Sequence, residues 1–309
     1  MWSDSGLLAI SLLALPYLAK GYSLANDYTG NNYADFFGKF TFWTDTDPTN
    51  GYVDYETVAT YTSASTRASG RKSVRLTSTD TYNPGTLFVA DIAHMPETCG
   101  TWPAWWMTSS TSNWPQEGEI DVVENANNAQ NNQMSLHVSS AQGQCQIDQN
   151  ADMTASKVRW GDCNEEDTEG CDANDPRTNS FGSGFNDNSG GVYAMEWAAD
   201  HVKIWFFPRD SIPDGSGGPL GDSPDPTTWG SATTAFDSQD GTGCDMGAHI
   251  KNQRIVIDTT FCGAWASGTW DSSGCASSTG YGSCEDYVQN MPGDFVSAFW
   301  TFNSMRVFT

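Results

Sequence analysis

The chain has 309 residues, is strongly acidic and is rich in aromatic side chains. It carries 38 Asp and Glu against 14 Lys and Arg, a formal charge of −24, so its surface repels nucleic acid and anionic membranes and neither is expected as a partner. A hydrophobic content of 38% excludes a disordered chain, and 13% aromatics with 30 Gly favour short strands joined by turns.

The N-terminus carries an apolar run from Gly6 to Leu18. The run is too short to cross a bilayer as a helix, but it has the length of a signal-peptide core. We therefore predict a signal peptide at residues 1–21, secretion to the extracellular medium, and one folded domain at residues 22–309. An unusual buried first strand is the alternative, because no Lys or Arg precedes the run and Pro16 lies within it.

Alternating apolar and polar residues mark short strands along the rest of the chain. Each has one apolar and one polar face, which is typical of a two-sheet sandwich, so the predicted fold is all-β. The Gly-, Pro- and Asp-rich stretch 208–230 predicts a long surface loop rather than a linker. The predicted strands cover residues 73–77, 134–139, 192–197 and 202–207 (a hairpin), 255–260 and 295–308.

Eight cysteines give an even count, which is consistent with up to four disulfides in an oxidising compartment. Their pairing cannot be deduced from the sequence. Zinc is not expected, because the closest two are separated by seven residues, whereas zinc ligands come in closer pairs. No cofactor is expected to be required, and nothing indicates a structural calcium. The cysteines are Cys99, Cys145, Cys163, Cys171, Cys244, Cys262, Cys275 and Cys284.

The acidic segment Gly-Glu-Ile-Asp-Val-Val-Glu at residues 118–124 has β-branched apolar residues and is predicted to be a strand. Regular alternation would place Glu119 on the polar face and turn Glu124 into the core, where an unpaired carboxylate is costly. One β-bulge at Val122-Val123 returns Glu124 to the face of Glu119. We therefore predict that bulge.

Three carboxylates on one strand face have two simpler interpretations, a solvated acidic strand and a calcium site. Four tryptophans just upstream favour a sugar site instead, because the C–H face of a pyranose stacks well on an indole. Alternation requires at least one of Trp105 and Trp106 to lie in the core. The four are Trp102, Trp105, Trp106 and Trp114.

The pair Glu119 and Glu124 also matches the requirements of glycoside hydrolysis. Retaining glycoside hydrolysis needs two carboxyls roughly 5–5.5 Å apart, one a nucleophile and the other a proton donor whose pKa is raised by a nearby anion. Asp121, between the two glutamates, can hydrogen-bond the nucleophile. The glutamates must converge across a concave, twisted sheet face, which would itself form a substrate cleft.

The segments Gly-Thr-Trp-Pro-Ala-Trp-Trp at 100–106, Trp-Pro at 114–115 and Glu-Ile-Asp-Val-Val-Glu at 119–124 together resemble glycoside hydrolase family 16, in particular the fungal laminarinase-like endo-1,3(4)-β-glucanases. The similarity extends to other segments across most of the chain. It implies a concanavalin-like β-jelly roll of two antiparallel sheets with a concave substrate cleft, and it makes residues 22–309 a single catalytic domain. The other segments are 30–33, 88–95, 193–197, 204–209 and 261–266.

The resemblance also implies roles for individual residues. Glu119 matches the nucleophile, Glu124 the general acid/base and Asp121 the assisting carboxylate of a retaining endo-hydrolase of β-1,3- or mixed β-1,3/1,4-glucan. The remaining matches are substrate-binding positions, which are His137 near the acid/base, the cleft aromatics Trp102, Trp106, Trp114 and Trp265, and the polar residues Arg75 and Asn32.

Two positions depart from the family pattern. Ala264 stands where the acid of Gly-Asp-Trp is usual, and Tyr33-Ala34 replaces a pair of phenylalanines, which bears on subsite preference rather than on the acid pair. The six-residue bulged motif separates the chain from lichenases, xyloglucan-acting enzymes and wall transglycosylases. A β-glucan transglycosylase and a non-catalytic, lectin-like glucan-binding module are the alternatives. The expected partner is a β-glucan, bound by a monomer.

Overall fold

The computed structural model describes residues 21–29, 33–57, 66–67, 70–109, 114–238 and 243–309. Short strands dominate these residues, as the aromatic and β-branched composition predicts. The strands are β1 Leu24–Asp27, β2 Phe40–Phe42, β3 Val53–Tyr55, β4 Thr66–Arg67, β5 Gly70–Ser73, β6 Arg75–Ser78, β7 Thr86–His94, β8 Thr101–Ser109, β9 Glu119–Glu124, β10 Gln133–His137, β11 Ser156–Arg159, β12 Cys171–Asn174, β13 Gly191–Trp197, β14 His201–Pro208, β15 Thr234–Asp237, β16 Gln253–Phe261 and β17 Thr301–Phe308.

Helices are short and lie between the strands. The longest described helix has seven residues and begins after Ser283, whose side chain accepts a hydrogen bond from the backbone N–H of Asp286. None of the described helices is long and apolar enough to cross a membrane. The helices are α1 Tyr33–Phe37, α2 Glu165–Thr168, α3 Gly182–Asp187, α4 Met246–His249, α5 Gly263–Gly268, α6 Cys275–Thr279 and α7 Cys284–Asn290.

Two large antiparallel sheets form the molecule. One has six strands in the order β1-β17-β7-β13-β14-β15, and the other has eight in the order β11-β12-β10-β9-β8-β16-β6-β2. A small sheet, β3-β5-β4, lies beside them. The predicted all-β sandwich is confirmed, and so is the predicted hairpin, since β13 pairs with β14 along its full length.

The main core lies between the two large sheets. Trp105 and Met107 of β8 pack there with Ile120 of β9, against residues such as Phe88 of β7 and Tyr193 of β13. As alternation predicts, one of the two adjacent tryptophans lies in the core. Trp105 is buried there, whereas Trp106 points to the opposite face of the sheet and is only half-buried.

The other face of the six-stranded sheet is also covered. Residues 208–230 fold back over it, so that Trp229 packs edge-on against Trp205 and Phe207 of β14. Arg306 of β17 donates hydrogen bonds to two backbone carbonyls of the same stretch. The predicted surface loop is therefore confirmed, and the central strands β7 and β13 of the six-stranded sheet are buried on both faces.

Two predicted strands have different bounds in the structure. The strand expected from residue 295 begins at Thr301, because Pro292–Phe295 forms a 3₁₀ turn that Pro292 starts. The strand expected at residues 73–77 is divided into β5 and β6 around Val74. The predicted signal peptide lies outside the described residues, apart from Gly21.

All eight cysteines are paired, so the predicted maximum of four disulfides is reached. Two of the bonds fasten the segment that contains α5, α6 and α7 to the sheets, and a third crosslinks residues far apart in sequence. The fourth closes a short loop beside β10. The pairs are Cys99–Cys275, Cys262–Cys284, Cys145–Cys244 and Cys163–Cys171.

Candidate active site

Strand β9 contains the predicted bulge. On its β10 side, Asp121 lies opposite Ser135 and Glu124 lies opposite Gln133, so three steps along β9 face two steps along β10. On the β8 side the register shifts between Asp121 and Val123, which identifies Val122 as the extra residue. The bulge at Val122-Val123 is confirmed, and both valines are buried in the core.

Asn132 satisfies the backbone groups that the bulge removes from the ladder. Its side-chain amide donates to the carbonyl oxygen of Val122 at 2.7 Å and accepts from the N–H of Glu124 at 2.9 Å. Asn132 is fully buried, and its own N–H donates to Ser180 Oγ. Because buried backbone groups need partners, this one amide fixes the orientation of Glu124.

Cross-strand neighbours show which side chains share the outer face of the eight-stranded sheet, here called the site face. Residues directly opposite each other in a sheet point the same way. Glu119 lies opposite His137, Asp121 opposite Trp106, and Arg75 opposite Asp258. The site face is defined by Arg75, Trp102, Trp106, Glu119, Asp121, Glu124, His137 and Asp258.

Glu124 is held by an indole. Trp102 Nε1 donates to Glu124 Oε1 at 2.8 Å, and the Trp102 ring packs edge-on against Trp265 of α5 at 5.6 Å between centroids. Burial raises the pKa of Glu124 well above its ordinary value, the charge of Asp121 raises it further, and the Trp102 hydrogen bond opposes them. Glu124 is therefore suited to keep its proton near neutral pH.

A different indole contacts Glu119, and the surroundings of Glu119 are more positive than those of Glu124. Trp114, which is 52% exposed, donates from Nε1 to Glu119 Oε2 at 2.9 Å. Burial and the charge of Asp121 raise the pKa of Glu119 to about 8, against the opposing effects of His137, Arg75 and the Trp114 hydrogen bond. Because two cations face Glu119, it is the easier of the two glutamates to ionise.

His137 lies between two carboxylates. Its Nδ1 is 2.6 Å from Glu165 Oε2, and its Nε2 is 3.3 Å from Asp121 Oδ2. Burial lowers the pKa of His137, but the contacts with Asp121 and Glu165 outweigh burial and raise the pKa well above its ordinary value. The imidazole is therefore a half-buried cation that partly compensates the negative charge of β9.

Arg75 lies at the far side of the site face. Its guanidinium is 4.8 Å from the centroid of the Trp106 ring and 5.1 Å from that of Trp43, and its Nε lies 3.8 Å from Asp258 Oδ2. Burial raises the pKa of Asp258 to about 7, opposed first by the charge of Arg75. The two indoles hold the cation in place by cation–π contact.

The structure brings the sequence-predicted residues together on and around the site face, with one exception. Asn32 lies outside the described residues. Sequence reasoning missed three neighbours of the site, Glu165, Asp258 and Trp43, and it missed Asn132 behind the bulge. Of these four residues, only Asp258 could have been found from the sequence, because it is the charged residue within the predicted strand 255–260.

One group of site residues has the spacing of metal ligands. Single ligand atoms of Glu119, Asp121 and His137 lie within 4.8 Å of one another. Calcium prefers an all-oxygen shell, however, and both nitrogens of His137 already face carboxylates. The geometry therefore favours proton handling over metal binding.

A two-sheet antiparallel sandwich that presents paired glutamates between indoles on one sheet face defines a class, the jelly-roll glycoside hydrolases. Comparison with known families agrees. Residues 56–308 match the XgeA-like catalytic GH16 domain. The chain belongs to glycoside hydrolase family 16.

Curated relatives agree with this assignment. The chain is 38% identical to a probable endo-1,3(4)-beta-glucanase of Aspergillus niger, over 100% of this chain and 42% of the relative. It is 37% identical to an endo-1,3(4)-beta-glucanase of Arthroderma benhamiae, over 98% of this chain and 68% of the relative. The chain thus spans about two fifths to two thirds of the length of these relatives.

Solved structures confirm the jelly-roll fold. GH16 laminarinase 16A from Phanerochaete chrysosporium, with two β-glucans in its donor and acceptor sites, superposes with a TM-score of 0.82 at 34% identity, covering 94% of this chain and 100% of that one. An elongating GH family 16 β-1,3-glucosyltransferase gives 0.80 at 36% identity, covering 93% and 100%.

Proposed function

We propose that this protein is a retaining endo-1,3(4)-β-glucanase that cleaves β-1,3- or mixed β-1,3/1,4-glucans. The observation that carries the proposal is the bulge in β9, which puts Glu119 and Glu124 on one sheet face, each with its own indole N–H donor. A carboxylate pair on a shared face is what double displacement requires. The names of the relatives support the substrate class.

The surroundings of the two glutamates support a division of roles. Glu119, which faces His137 and Arg75, would attack the anomeric carbon as a carboxylate and form a covalent glycosyl–enzyme. Glu124 would give its proton to the leaving glycosidic oxygen and later take a proton from the water that hydrolyses the intermediate. Asp121, between them, would keep the pKa of Glu124 high through its charge.

The tryptophans support binding of a neutral polysaccharide. Trp114 is more than half exposed beside Glu119, and Trp102, Trp106 and Trp265 are half-buried around the rest of the site face. Exposed indole faces suit the apolar face of a glucosyl ring. We assign these four as stacking positions for glucan, while Arg75, His137 and Asn32 stay predicted polar contacts.

Transglycosylation is the second candidate, and the similarity to the elongating β-1,3-glucosyltransferase favours it. The covalent intermediate would be the same, but a glucan hydroxyl would replace water as the acceptor. Products longer than a defined laminari-oligosaccharide substrate would distinguish it from hydrolysis. A non-catalytic glucan-binding module is less well supported, because both glutamates and their donors are in place.

The deciding experiment is incubation with laminarin, lichenan and xyloglucan, with products identified by chromatography and mass spectrometry. We expect short oligosaccharides from the first two and none from xyloglucan. A folded protein that cleaves neither laminarin nor lichenan would refute the proposal. Glu119→Ser should bind laminarin but lose roughly 10⁴-fold or more in kcat. The matched control is Glu169→Gln, a charge removal at a side chain that is 81% exposed.

Four disulfides support an oxidising compartment, and we propose that the protein is secreted and acts outside the cell as a monomer. Sizing of the purified protein by light scattering tests the monomer, and its recovery from culture medium tests secretion.

A further inference from the structure

A short loop closed by a disulfide lies beside the proposed acid/base machinery. The bond joins Cys163 to Cys171 across a sequence separation of 8, and the residues between them, here called the disulfide loop, include helix α2. The loop carries Glu165, whose carboxylate is 2.6 Å from His137 Nδ1. A residue far from β9 in sequence thus contacts the imidazole that faces β9.

The disulfide loop is fixed to β10 at its near end. The N–H of Val138 donates to the carbonyl of Cys163, and the N–H of Glu165 donates to the carbonyl of Val138. Glu166 accepts from Ser139 Oγ at 2.7 Å and from the N–H of Ser140 at 2.9 Å. These bonds hold α2 directly against the strand that carries His137.

The far end of the disulfide loop closes on the imidazole itself. Gly170 has a φ of +81°, and a Cβ added there would lie 2.5 Å from His137 Nδ1, so only glycine allows this approach. Arg159 holds the same end by donating to Asp172 Oδ1 from its backbone N–H at 3.1 Å and from Nε at 2.9 Å. The histidine therefore has little freedom to rotate.

Charge reaches His137 from two sides. Asp121 and Glu119 face it from β9, and Glu165 faces it from the disulfide loop. The nearby cation Arg159 forms ion pairs with Glu169 and Asp172. As an imidazolium His137 donates to Glu165 from Nδ1 and holds its second N–H 3.3 Å from Asp121 Oδ2, whereas a neutral imidazole has a proton for only one of these two carboxylates.

We propose that Glu165 is a positioning residue of this glycosidase, through which the disulfide loop keeps His137 protonated and aimed at Asp121, so that its charge favours the ionised form of Glu119. The inference rests on the proposed function. It assigns to Glu165 no contact with glucan. It predicts that removing the charge of Glu165, which lies outside the sheet, changes the ionisation of His137 and Glu119.

The test compares Glu165→Gln with Glu169→Gln, which removes the same charge from the same loop at an exposed side chain. NMR titration of labelled histidine follows His137 among the four histidines, assigned with His137→Gln. We expect Glu165→Gln to lower the pKa of His137 by about one to three units and Glu169→Gln to leave it nearly unchanged.

Activity gives a second measurement. Glu119 must be ionised to attack, so activity rises as pH passes its pKa. Loss of the imidazolium charge raises that pKa, and the acidic limb of the kcat/KM profile of Glu165→Gln should move to higher pH. Equal His137 titrations and equal pH profiles in the two Gln variants would overturn the inference. Wild-type protein that cleaves no glucan would refute the proposed function alone, because the NMR titration needs no activity.

Two further measurements test the inference even if Glu165→Gln does not fold. In wild type, a His137 pKa at or below its ordinary value of about 6.5 overturns the inference. In the double variant Cys163→Ser/Cys171→Ser, the loop is released while Glu165 remains, and we expect the His137 pKa to shift toward its ordinary value. An unchanged pKa there would show that the disulfide does not position the glutamate.

Discussion

The two indole donors give a test that separates the roles of the two glutamates. Trp102 donates to Glu124, and Trp114 donates to Glu119. Replacement of each by Phe keeps one aromatic ring for stacking and removes the N–H together with the five-membered ring of the indole. A hydrogen bond to a carboxylate favours its charged form, so each replacement raises the pKa of one glutamate.

The two substitutions should move opposite limbs of the pH profile. Glu124 must be protonated, so activity is lost as pH rises through its pKa, and Trp102→Phe should move the alkaline limb to higher pH. Glu119 must be ionised, so activity appears as pH rises through its pKa, and Trp114→Phe should move the acidic limb to higher pH. Each limb reports one proposed role.

The size of each shift follows from burial. A hydrogen bond to a charged group contributes about 1.5–3 kcal/mol, and about 1.36 kcal/mol is one pKa unit, so the alkaline limb should move by about one to two pH units in Trp102→Phe. Trp114 is 52% exposed, and water can replace its N–H. The acidic limb should therefore move by only about half a unit in Trp114→Phe.

The assay is kcat/KM on laminarin from about pH 3 to pH 10, since this ratio reports the free enzyme. Trp265→Phe is the matched control, because its ring contacts Trp102 and, in the described part of the chain, donates to neither glutamate. If Trp102→Phe moved the acidic limb and Trp114→Phe the alkaline one, the assignment of nucleophile and acid would be reversed. Identical profiles in all three variants would show that the indoles do not set the ionisation.

Three further predictions concern the packing behind the site. Asn132→Ala removes both bonds that hold the bulge, so urea unfolding should show a loss of about 2–4 kcal/mol and kcat should fall roughly tenfold or more; unchanged kcat would contradict this. Trp105→Ala should lower the free energy of unfolding by about 3–5 kcal/mol in the same assay, whereas Trp106→Ala should mainly weaken laminarin binding. Equal losses of stability in the two variants would contradict the alternation. The bond Cys145–Cys244 spans 99 residues, so its removal should cost about 4–5 kcal/mol, and a loss below about 1 kcal/mol would contradict the loop-entropy reasoning.

Two local physical rules predicted the shape of β8 and β9, whereas the places of Arg75, His137 and the cleft tryptophans were implied by the family resemblance. Side chains alternate along a strand, so at least one of Trp105 and Trp106 must be buried, and a lone carboxylate is excluded from a core, so a bulge must turn Glu124 outward. Local rules of this kind need no knowledge of distant residues. The capping serine before α7 is a missed case, since Ser283 with Asp286 three residues later already indicates a helix start.

Contacts between residues far apart in sequence could not be predicted. Glu165 lies 28 residues after His137, on a four-residue helix with no periodic pattern, and Asn132 reaches back across a turn to the bulge. Four disulfides among eight cysteines allow many pairings, and only the fold selects one. The strand at 295–308 was predicted too long because its pattern did not register the turn at Pro292.

The loop at residues 208–230 has a consequence for how this protein can change. Because the centre of the six-stranded sheet is covered on both faces, β7 and β13 tolerate few polar residues on either side, and nearly all of their residues are buried. Strands β8 and β9 instead carry alternate positions that take no part in the core. Selection can therefore alter the proposed glucan-binding surface, one side chain at a time, while the framework that supports it stays the same.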